Sequence, residues 1–256
     1  MDQSLRDAAK IRFHVKHPGK SVPKEPSQVA KAAVELVEKT LGEIGFVPEG
    51  RNFLPRLERF LAALALWGGR SNLTAAPDDP VELAFHLVDS LAPLIVARRP
   101  EGAILRDAFG KECRVLDLGS GAGFPGLILA AATDAHLTLL EARRKRASFL
   151  AVTAAEMGLP NIIVDAQRRE PDQLSPTFFD VATGRAFAHP RIFYRAASAA
   201  LRPGGLAILY ANPEQELEAA AAGESNLSEV ERIAYAVPRG NRKVARILAV
   251  WRKRNG

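Results

Sequence analysis

Three amphipathic helices are predicted in the N-terminal part of the chain, because apolar positions recur there at intervals of three and four. The apolar faces comprise Val34, Val37, Leu41 and Ile44, then Leu57, Phe60, Leu61 and Leu64, and then Leu83, Leu87, Val88, Leu91 and Ile95. The first helix should begin at Ser27 and stop at Gly45. Asp79 should cap the third helix, since Pro80 at the next position fits the first turn.

Short apolar runs alternate with helical segments after a linker over residues 99–112. The predicted strands cover residues 114–118, 137–141, 162–166, 179–183 and 206–211, and the alanine-rich run 219–222 is predicted to be helical. This alternation predicts an α/β fold with a parallel, doubly wound sheet and helices on both faces. Residues 229–237 and 244–252 are joined by a short loop without a helix, which predicts an antiparallel hairpin at the sheet edge.

The composition is that of a globular protein, with 47% hydrophobic and 25% charged residues. Charge interrupts every apolar stretch well before the roughly 20 residues that a membrane span needs, and the N-terminus lacks the apolar core of a signal peptide. We therefore expect a cytoplasmic protein without a membrane partner. Cys113 is the single cysteine, so no intrachain disulfide can form, and without a Cys/His cluster no bound metal is expected.

The net charge of +6 is concentrated at the two ends of the chain. The basic residues there are Arg6, Lys10, Arg12, Lys16, Lys20 and Lys24, and then Arg239, Arg242, Lys243, Arg246, Arg252, Lys253 and Arg254. Such clusters favour a polyanion such as RNA, because neutralised phosphates release counterions. Charge alone leaves open the alternative that both ends are solvated tails.

The glycine-rich run 115–126 follows the first predicted strand and precedes a helix, at the place where open α/β sheets bind ligands. Its frame 121–126 satisfies the dinucleotide fingerprint, with Glu141 about 20 residues later as a ribose-binding acid. The alternative frame places Asp117 before Gly119, Gly121 and Gly123. That frame resembles the first motif of class I S-adenosylmethionine-dependent methyltransferases, as does the closing antiparallel pair. We favour the methyl donor over a nicotinamide cofactor, and over a purely structural turn.

Five strings resemble the RsmG (GidB) family of 16S ribosomal RNA guanine-N7 methyltransferases. They are residues 72–75, 86–91, 115–126, 141–146 with 149–150, and 184–187, and the resemblance extends over residues 27–254. It implies a class I, Rossmann-like domain over residues 106–256 that binds S-adenosyl-L-methionine, preceded by a helical subdomain over 27–105 and a basic arm over 1–26. The implied partner is 16S ribosomal RNA or the small ribosomal subunit, and we expect a monomer.

The same resemblance implies the site residues. Gly119 and Phe124 should line the cofactor site together with the motif residues Asp117, Gly121 and Gly123. Glu141 should accept hydrogen bonds from the ribose, and Arg169 and Glu170 should lie beside the adenine. Arg185 should lie near the transferred methyl group, as a catalytic and cofactor-binding residue.

Structural alternatives stand beside these roles. Arg185 could instead form a structural salt bridge. Residues 143–146 could form a solvated helix face instead of an RNA contact. His86 and Asp89, three positions apart on one helix, are predicted to form a buried hydrogen-bonded pair that anchors the helical subdomain.

Some positions depart from the family pattern. Gly68 and Gly69 follow Trp67 where Trp-Asn is common, Arg169 replaces an alanine, and Asn212 follows the fifth strand where Lys-Gly is expected. These departures concern base recognition more than cofactor binding.

The implied reaction needs no general base, because guanine N7 carries a free lone pair and no proton. Positioning should therefore supply most of the catalysis. Arg185 is expected to hold the base or the methionine carboxylate, with the basic arm and the C-terminal hairpin contacting phosphates. A methyltransferase acting on another substrate and a non-catalytic RNA-binding assembly factor remain open as alternatives.

Overall fold

The computed structural model describes residues 24–71, 73–167, 179–187, 189–214 and 226–255. The helices are α1 (Lys24–Glu43), α2 (Phe53–Ser71), α3 (Pro80–Ser90), α4 (Ala92–Val96), α5 (Gly126–Ala132), α6 (Arg144–Glu156) and α7 (Pro190–Ala200), with a 3₁₀ helix at Pro100–Leu105. The strands are β1 (Arg114–Leu118), β2 (His136–Leu140), β3 (Ile162–Asp165), β4 (Phe179–Arg185), β5 (Leu201–Ala211), β6 (Leu227–Arg239) and β7 (Arg242–Lys253).

Within the described residues, the strands form one seven-stranded sheet in the order β3-β2-β1-β4-β5-β7-β6. Strands β1 to β5 pair in parallel, whereas β7 pairs antiparallel with both β5 and β6. The predicted parallel sheet and the predicted edge hairpin are therefore confirmed. Strand β5 begins at Leu201, earlier than the predicted residue 206, because Leu201 pairs with Phe179 across a register shift.

The alternation of side chains along the strands divides the core between the two faces of the sheet. Val115 and Val250 face a layer that includes apolar residues of α1, α2, α3 and α5, whereas Leu116 and Ala249 face α7. The N-terminal helices therefore share one core with the sheet. The proposed division into a helical subdomain over 27–105 and an α/β domain over 106–256 remains a prediction.

Helix α3 begins as predicted, with Asp79 Oδ1 accepting hydrogen bonds from the backbone N–H groups of Val81 and Glu82. The prediction that this helix continues through Ile95 is wrong, because α3 ends at Ser90 and α4 starts after Leu91. Pro93 explains the break: it has no N–H to donate to the carbonyl four residues before it, and its ring would clash with that carbonyl.

Helix α1 differs from its prediction at both ends. It begins at Lys24, so residues 24–26 belong to the helix and not to the arm, since Pro26 is tolerated in a first turn. Ile44 lies beyond the helix and is 48% exposed, so its assignment to the buried face is wrong. Gly45 adopts φ +64°, and Phe46 N–H donates to Leu41 O, which terminates the helix.

Several predictions lie outside the described residues. These are the arm over residues 1–23, the helix at 219–222, and the adenine contacts assigned to Arg169 and Glu170.

Candidate functional site

The loop after β1 is built around three glycines in the left-handed region. Gly119, Gly121 and Gly123 have φ of +69°, +55° and +92°, a conformation that glycine adopts without steric cost. A Cβ on Gly119 would lie 2.4 Å from the Phe187 ring, and one on Gly123 would lie 2.5 Å from Leu127 Cδ1. Backbone conformation therefore favours glycine at all three positions, and close packing adds to this at Gly119 and Gly123.

Asp117 lies beneath this loop and is fully buried. Its Oδ1 accepts a hydrogen bond from Thr183 Oγ1 at 3.0 Å, which links the ends of β1 and β4. Burial raises the pKa of Asp117 to about 6. The side chain does not line the neighbouring cavity, so the structure places it as a support of the loop.

Glu141, at the end of β2, also holds the loop. Its Oε2 accepts from Gly121 N–H at 3.0 Å and its Oε1 accepts from Arg143 N–H at 2.7 Å. Each carboxylate oxygen retains a further lone pair. Glu141 therefore contacts the cavity wall through Gly121, although its own side chain is not part of that wall.

Two cavities lie on either side of Arg185. The first, of about 320 Å³, is lined by Leu73, Thr74, Ala75, His86, Gly119, Ser120, Gly121, Ala122, Phe124, Arg146, Arg185 and Ala186. The second, of about 260 Å³, is lined by Phe85, His86, Arg185, Ala186, Phe187, Pro190, Leu209, Tyr210, Asn212 and Arg246. They share His86, Arg185 and Ala186, so the two cavities adjoin at these residues. We call them the glycine-loop cavity and the β5 cavity.

Arg185 is held by two residues of α3. Its Nε lies 3.0 Å from Asp89 Oδ2, and a terminal guanidinium nitrogen lies 2.5 Å from His86 Nδ1. Its guanidinium carbon lies 5.6 Å from the centre of the Phe124 ring. The salt bridge considered from the sequence is therefore present, and Arg185 also lines both cavities. The ion pair does not keep this side chain away from the cavities, so its predicted functional role stays a prediction.

Asp89 is the centre of a buried polar cluster. It has no solvent exposure, and its Oδ1 accepts from Tyr235 Oη at 2.7 Å and from Arg246 Nε at 3.3 Å. The expected hydrogen bond between His86 and Asp89 is wrong, because within the described residues both side chains bind Arg185 instead. The anchoring role is confirmed through different partners, since strands β4, β6 and β7 all reach this one carboxylate of α3.

Burial lowers the pKa of His86 to about 4, and the positive charge of Arg185 adds to this effect. His86 is therefore neutral at physiological pH. Its sequence string suggested an anchor, and nothing in the sequence placed its ring in the walls of both cavities.

The internal ion pairs restrict which basic residues can contact phosphates. Arg246 binds Asp89, and Arg239 forms a bidentate pair with Glu82 at 2.5 and 2.7 Å. The hypothesis that the whole C-terminal hairpin grips phosphates therefore needs correction for these two arginines, whereas Arg242 and Lys243 are exposed at the hairpin turn. Tyr235 could have been identified from the sequence, because it alternates with Ile233 and Val237 and therefore lies on the inward face of β6.

The predicted site residues are brought together only in part. Gly119, Gly121, Phe124 and Arg185 line the glycine-loop cavity, while Asp117, Gly123 and Glu141 support its wall. Arg146 lines this cavity, and its neighbours in the first turn of α6, Arg144 and Lys145, are exposed. The basic run 143–146 thus combines a solvated face with one cavity residue.

A sequence model of the family described as rRNA small subunit methyltransferase G matches residues 54–245. The chain belongs to this family. The ribosomal RNA small subunit methyltransferase G of Anaeromyxobacter sp. (strain Fw109-5) is 34% identical over 214 residues, which cover 81% of this chain and 92% of the relative. The protein of the same name from Bordetella avium (strain 197N) is 31% identical over 208 residues, covering 79% and 86%.

Among solved structures, the crystal structure of TrmN from Thermus thermophilus aligns with a TM-score of 0.48 and 22% identity, covering 67% of this chain and 53% of that chain. Within the described ranges, no helix is both long and apolar enough to cross a membrane.

Membership of this methyltransferase family decides between the two cofactors that the glycine run allowed. The fold is that of a class I methyltransferase, with the parallel strands followed by an antiparallel β7 between β5 and β6. The cofactor is S-adenosyl-L-methionine. The site fits it, because the glycine loop presents backbone without Cβ atoms to a cavity that also has an aromatic wall at Phe124.

Proposed function

We propose that this RsmG-family enzyme transfers the methyl group of S-adenosyl-L-methionine to N7 of a guanine in the decoding-region loop of 16S ribosomal RNA. One observation supports the proposal most strongly: the glycine-loop cavity and the β5 cavity adjoin at His86, Arg185 and Ala186. A methyl donor in one cavity and a base in the other would bring their reacting atoms together beside Arg185.

The glycine-loop cavity is the proposed cofactor site. When bound there, S-adenosyl-L-methionine supplies an electrophilic methyl group on a sulfonium. Gly119 and Gly121 allow close approach to the backbone. Glu141 holds Gly121 from behind this wall and has lone pairs left, and its contact with the ribose hydroxyls remains a prediction. Phe124 forms an apolar wall, and its ring is itself held by an edge contact with Phe60 at 5.1 Å. The adenine contacts of Arg169 and Glu170 remain predictions.

The β5 cavity is the proposed base site. Phe85, Phe187 and Pro190 give it flat, apolar walls, while Asn212 and Arg246 add polar groups. Enzymes that modify a base in RNA take it out of the stack and hold it between such walls. The departure Asn212 belongs to this cavity and contacts Arg246, so it concerns the base and not the methyl donor.

Arg185 is the proposed catalytic residue, because it lies where the two cavities adjoin. The ion pair with Asp89 holds its guanidinium group in place, so it can orient the base or the methionine carboxylate without moving. Guanine N7 needs no deprotonation before attack. The reaction therefore requires no general base, and the chain contributes orientation and exclusion of water.

The proposed RNA contacts are exposed cations in two places on the surface. Arg143, Arg144 and Lys145 lie at the start of α6, next to Arg146 in the cavity wall. Arg242 and Lys243 lie at the hairpin turn. We propose that these residues bind phosphates of 16S ribosomal RNA or of the small subunit, and that the protein acts as a monomer in the cytoplasm.

The test is transfer of a labelled methyl group to ribosomal RNA from cells that lack the protein, followed by chemical cleavage at N7-methylguanine. A single cleavage site in 16S RNA, absent without the methyl donor, is expected. Label at another atom or in another macromolecule would indicate a methyltransferase with a different substrate. Binding to RNA without any transfer would indicate a non-catalytic assembly factor, and both results would refute the proposal.

A further inference from the structure

The hydrogen bond between Arg185 and His86 fixes the position of the proton on the imidazole ring. A guanidinium group has only donors, so His86 Nδ1, 2.5 Å from it, must accept. A neutral imidazole with an accepting Nδ1 carries its proton on Nε2. The lowered pKa of His86, about 4, agrees with a neutral ring. His86 is therefore a permanent Nε2–H donor at neutral pH.

This donor has no partner among the described residues, although His86 lines both cavities. Ser90 Oγ binds the backbone carbonyl of His86, not its ring. The ring itself is held in place by neighbours at 5.3 Å (Phe85) and 5.5 Å (Phe124), measured between ring centres. A fixed donor without a protein partner at the junction of the two cavities is available to a substrate.

We infer that His86 is a specificity-determining residue whose Nε2–H donates to the O6 carbonyl of the target guanine. The inference rests on the proposed function. A donor to N7 itself would occupy the lone pair that attacks the methyl group, whereas O6 is the adjacent acceptor on the same edge of the base. Adenine presents an amino donor at that position. The N–H donor of His86 therefore favours guanine, which offers an acceptor at this position, and disfavours adenine, whose amino donor would face it.

Two substitutions separate the two nitrogens of His86. His86→Asn places an amide near the position of Nδ1, so it retains an acceptor for Arg185 and loses the Nε2–H donor. His86→Gln places an amide near the position of Nε2, so it retains a donor to the substrate and loses the contact with Arg185. The pair is a matched control, because both variants replace the ring with an amide. Thermal unfolding of each variant establishes that it is folded.

The experiment uses 16S RNA ligated around a synthetic segment with either guanine or 2-aminopurine at the target position, reconstituted into small subunits. 2-Aminopurine lacks O6 and also the N1 proton of guanine, so the contribution of His86 is the part of the preference that His86→Asn loses. Wild-type protein should methylate guanine with a kcat/KM about tenfold or more above that for 2-aminopurine, the effect of one hydrogen bond. His86→Asn should lose this preference and become about tenfold slower on guanine. His86→Gln should keep the preference at a lower kcat.

The outcomes separate the inference from the function on which it rests. Transfer to guanine with a preference that is unchanged in His86→Asn, or a wild-type protein that treats both bases alike, overturns the role of His86 alone. A wild-type protein that transfers no methyl group to N7 of the guanine-containing RNA overturns the proposed function and the inference together.

Discussion

Arg185 Nε lies 3.0 Å from Oδ2 of Asp89, a carboxylate without solvent exposure. Arg185 is the last residue of β4, and Asp89 belongs to α3, so this ion pair joins the N-terminal helices to the carboxyl end of a central strand. Arg246 and Tyr235 complete the cluster from β7 and β6. The position of Arg185 therefore depends on the packing of three strands and one helix.

Removing the charge of Asp89 should reduce both stability and activity. Asp89→Asn leaves Arg185 and Arg246 without their buried counter-charge, and breaking such a pair from one side costs about 3 kcal/mol or more. Urea unfolding at pH 7 should show this loss of unfolding free energy. Glu43→Gln is the control, because Glu43 pairs with Lys39 at the surface, where ion pairs contribute little. Equal effects of the two substitutions would contradict the structural role of Asp89.

The strands and the glycine loop could be predicted from sequence because their signals are local. A buried apolar run followed by alternating glycines needs no information from elsewhere in the chain. The cluster around Asp89 could not be predicted in this way, because Tyr235 and Arg246 lie about 150 residues away in sequence. For the same reason, the basic run of the hairpin looked like a phosphate-binding surface, although Arg239 and Arg246 are used in internal pairs.

Alanine at Gly121 should weaken binding of the methyl donor. Gly121 has φ +55°, and a Cβ there would lie 3.7 Å or more from the nearest protein atom and extend into the space of the cavity. Gly158→Ala is a matched control, with a similar φ of +66° and open space around the site. Both variants should lose about 1 kcal/mol of unfolding free energy through backbone strain. Only Gly121→Ala should raise the Kd for S-adenosyl-L-methionine in equilibrium dialysis. Equal Kd values for the two variants would contradict binding in the glycine-loop cavity.

His86 should make stability depend on pH in the acid range. Its folded pKa, about 4, lies below the unfolded value of 6.5, so the unfolded chain binds more protons between these pH values. The unfolding free energy should therefore fall as pH is lowered from 7 to 4, by about 2 kcal/mol after allowance for partial exposure.

The comparison of wild type with His86→Asn by urea unfolding at pH 7, 5.5 and 4 isolates this effect. The raised pKa of Asp117 acts in the opposite direction over part of the same range and is common to both proteins. The difference in unfolding free energy between wild type and His86→Asn should change with pH. A difference that stays constant would contradict a neutral, buried His86.

The cations at the start of α6 should contribute to RNA binding in a salt-dependent way. In the double variant Arg144→Gln, Lys145→Gln, the slope of log K against log salt concentration for 16S RNA should decrease by about 1.4 to 1.8, since each lost phosphate contact contributes about 0.7 to 0.9. The double variant Lys31→Gln, Lys39→Gln removes two exposed charges of α1 and serves as the control. An equal decrease of the slope in the two double variants would contradict a specific RNA contact at Arg144 and Lys145.

The central claim is that the glycine loop and the cavity beside Arg185 bind S-adenosyl-L-methionine. Titration calorimetry of the purified protein with this ligand measures the binding directly. One ligand per chain, with saturable heat at micromolar concentrations, is the predicted result. Titrations without heat at several temperatures, together with an unchanged unfolding temperature in excess ligand, would contradict the account.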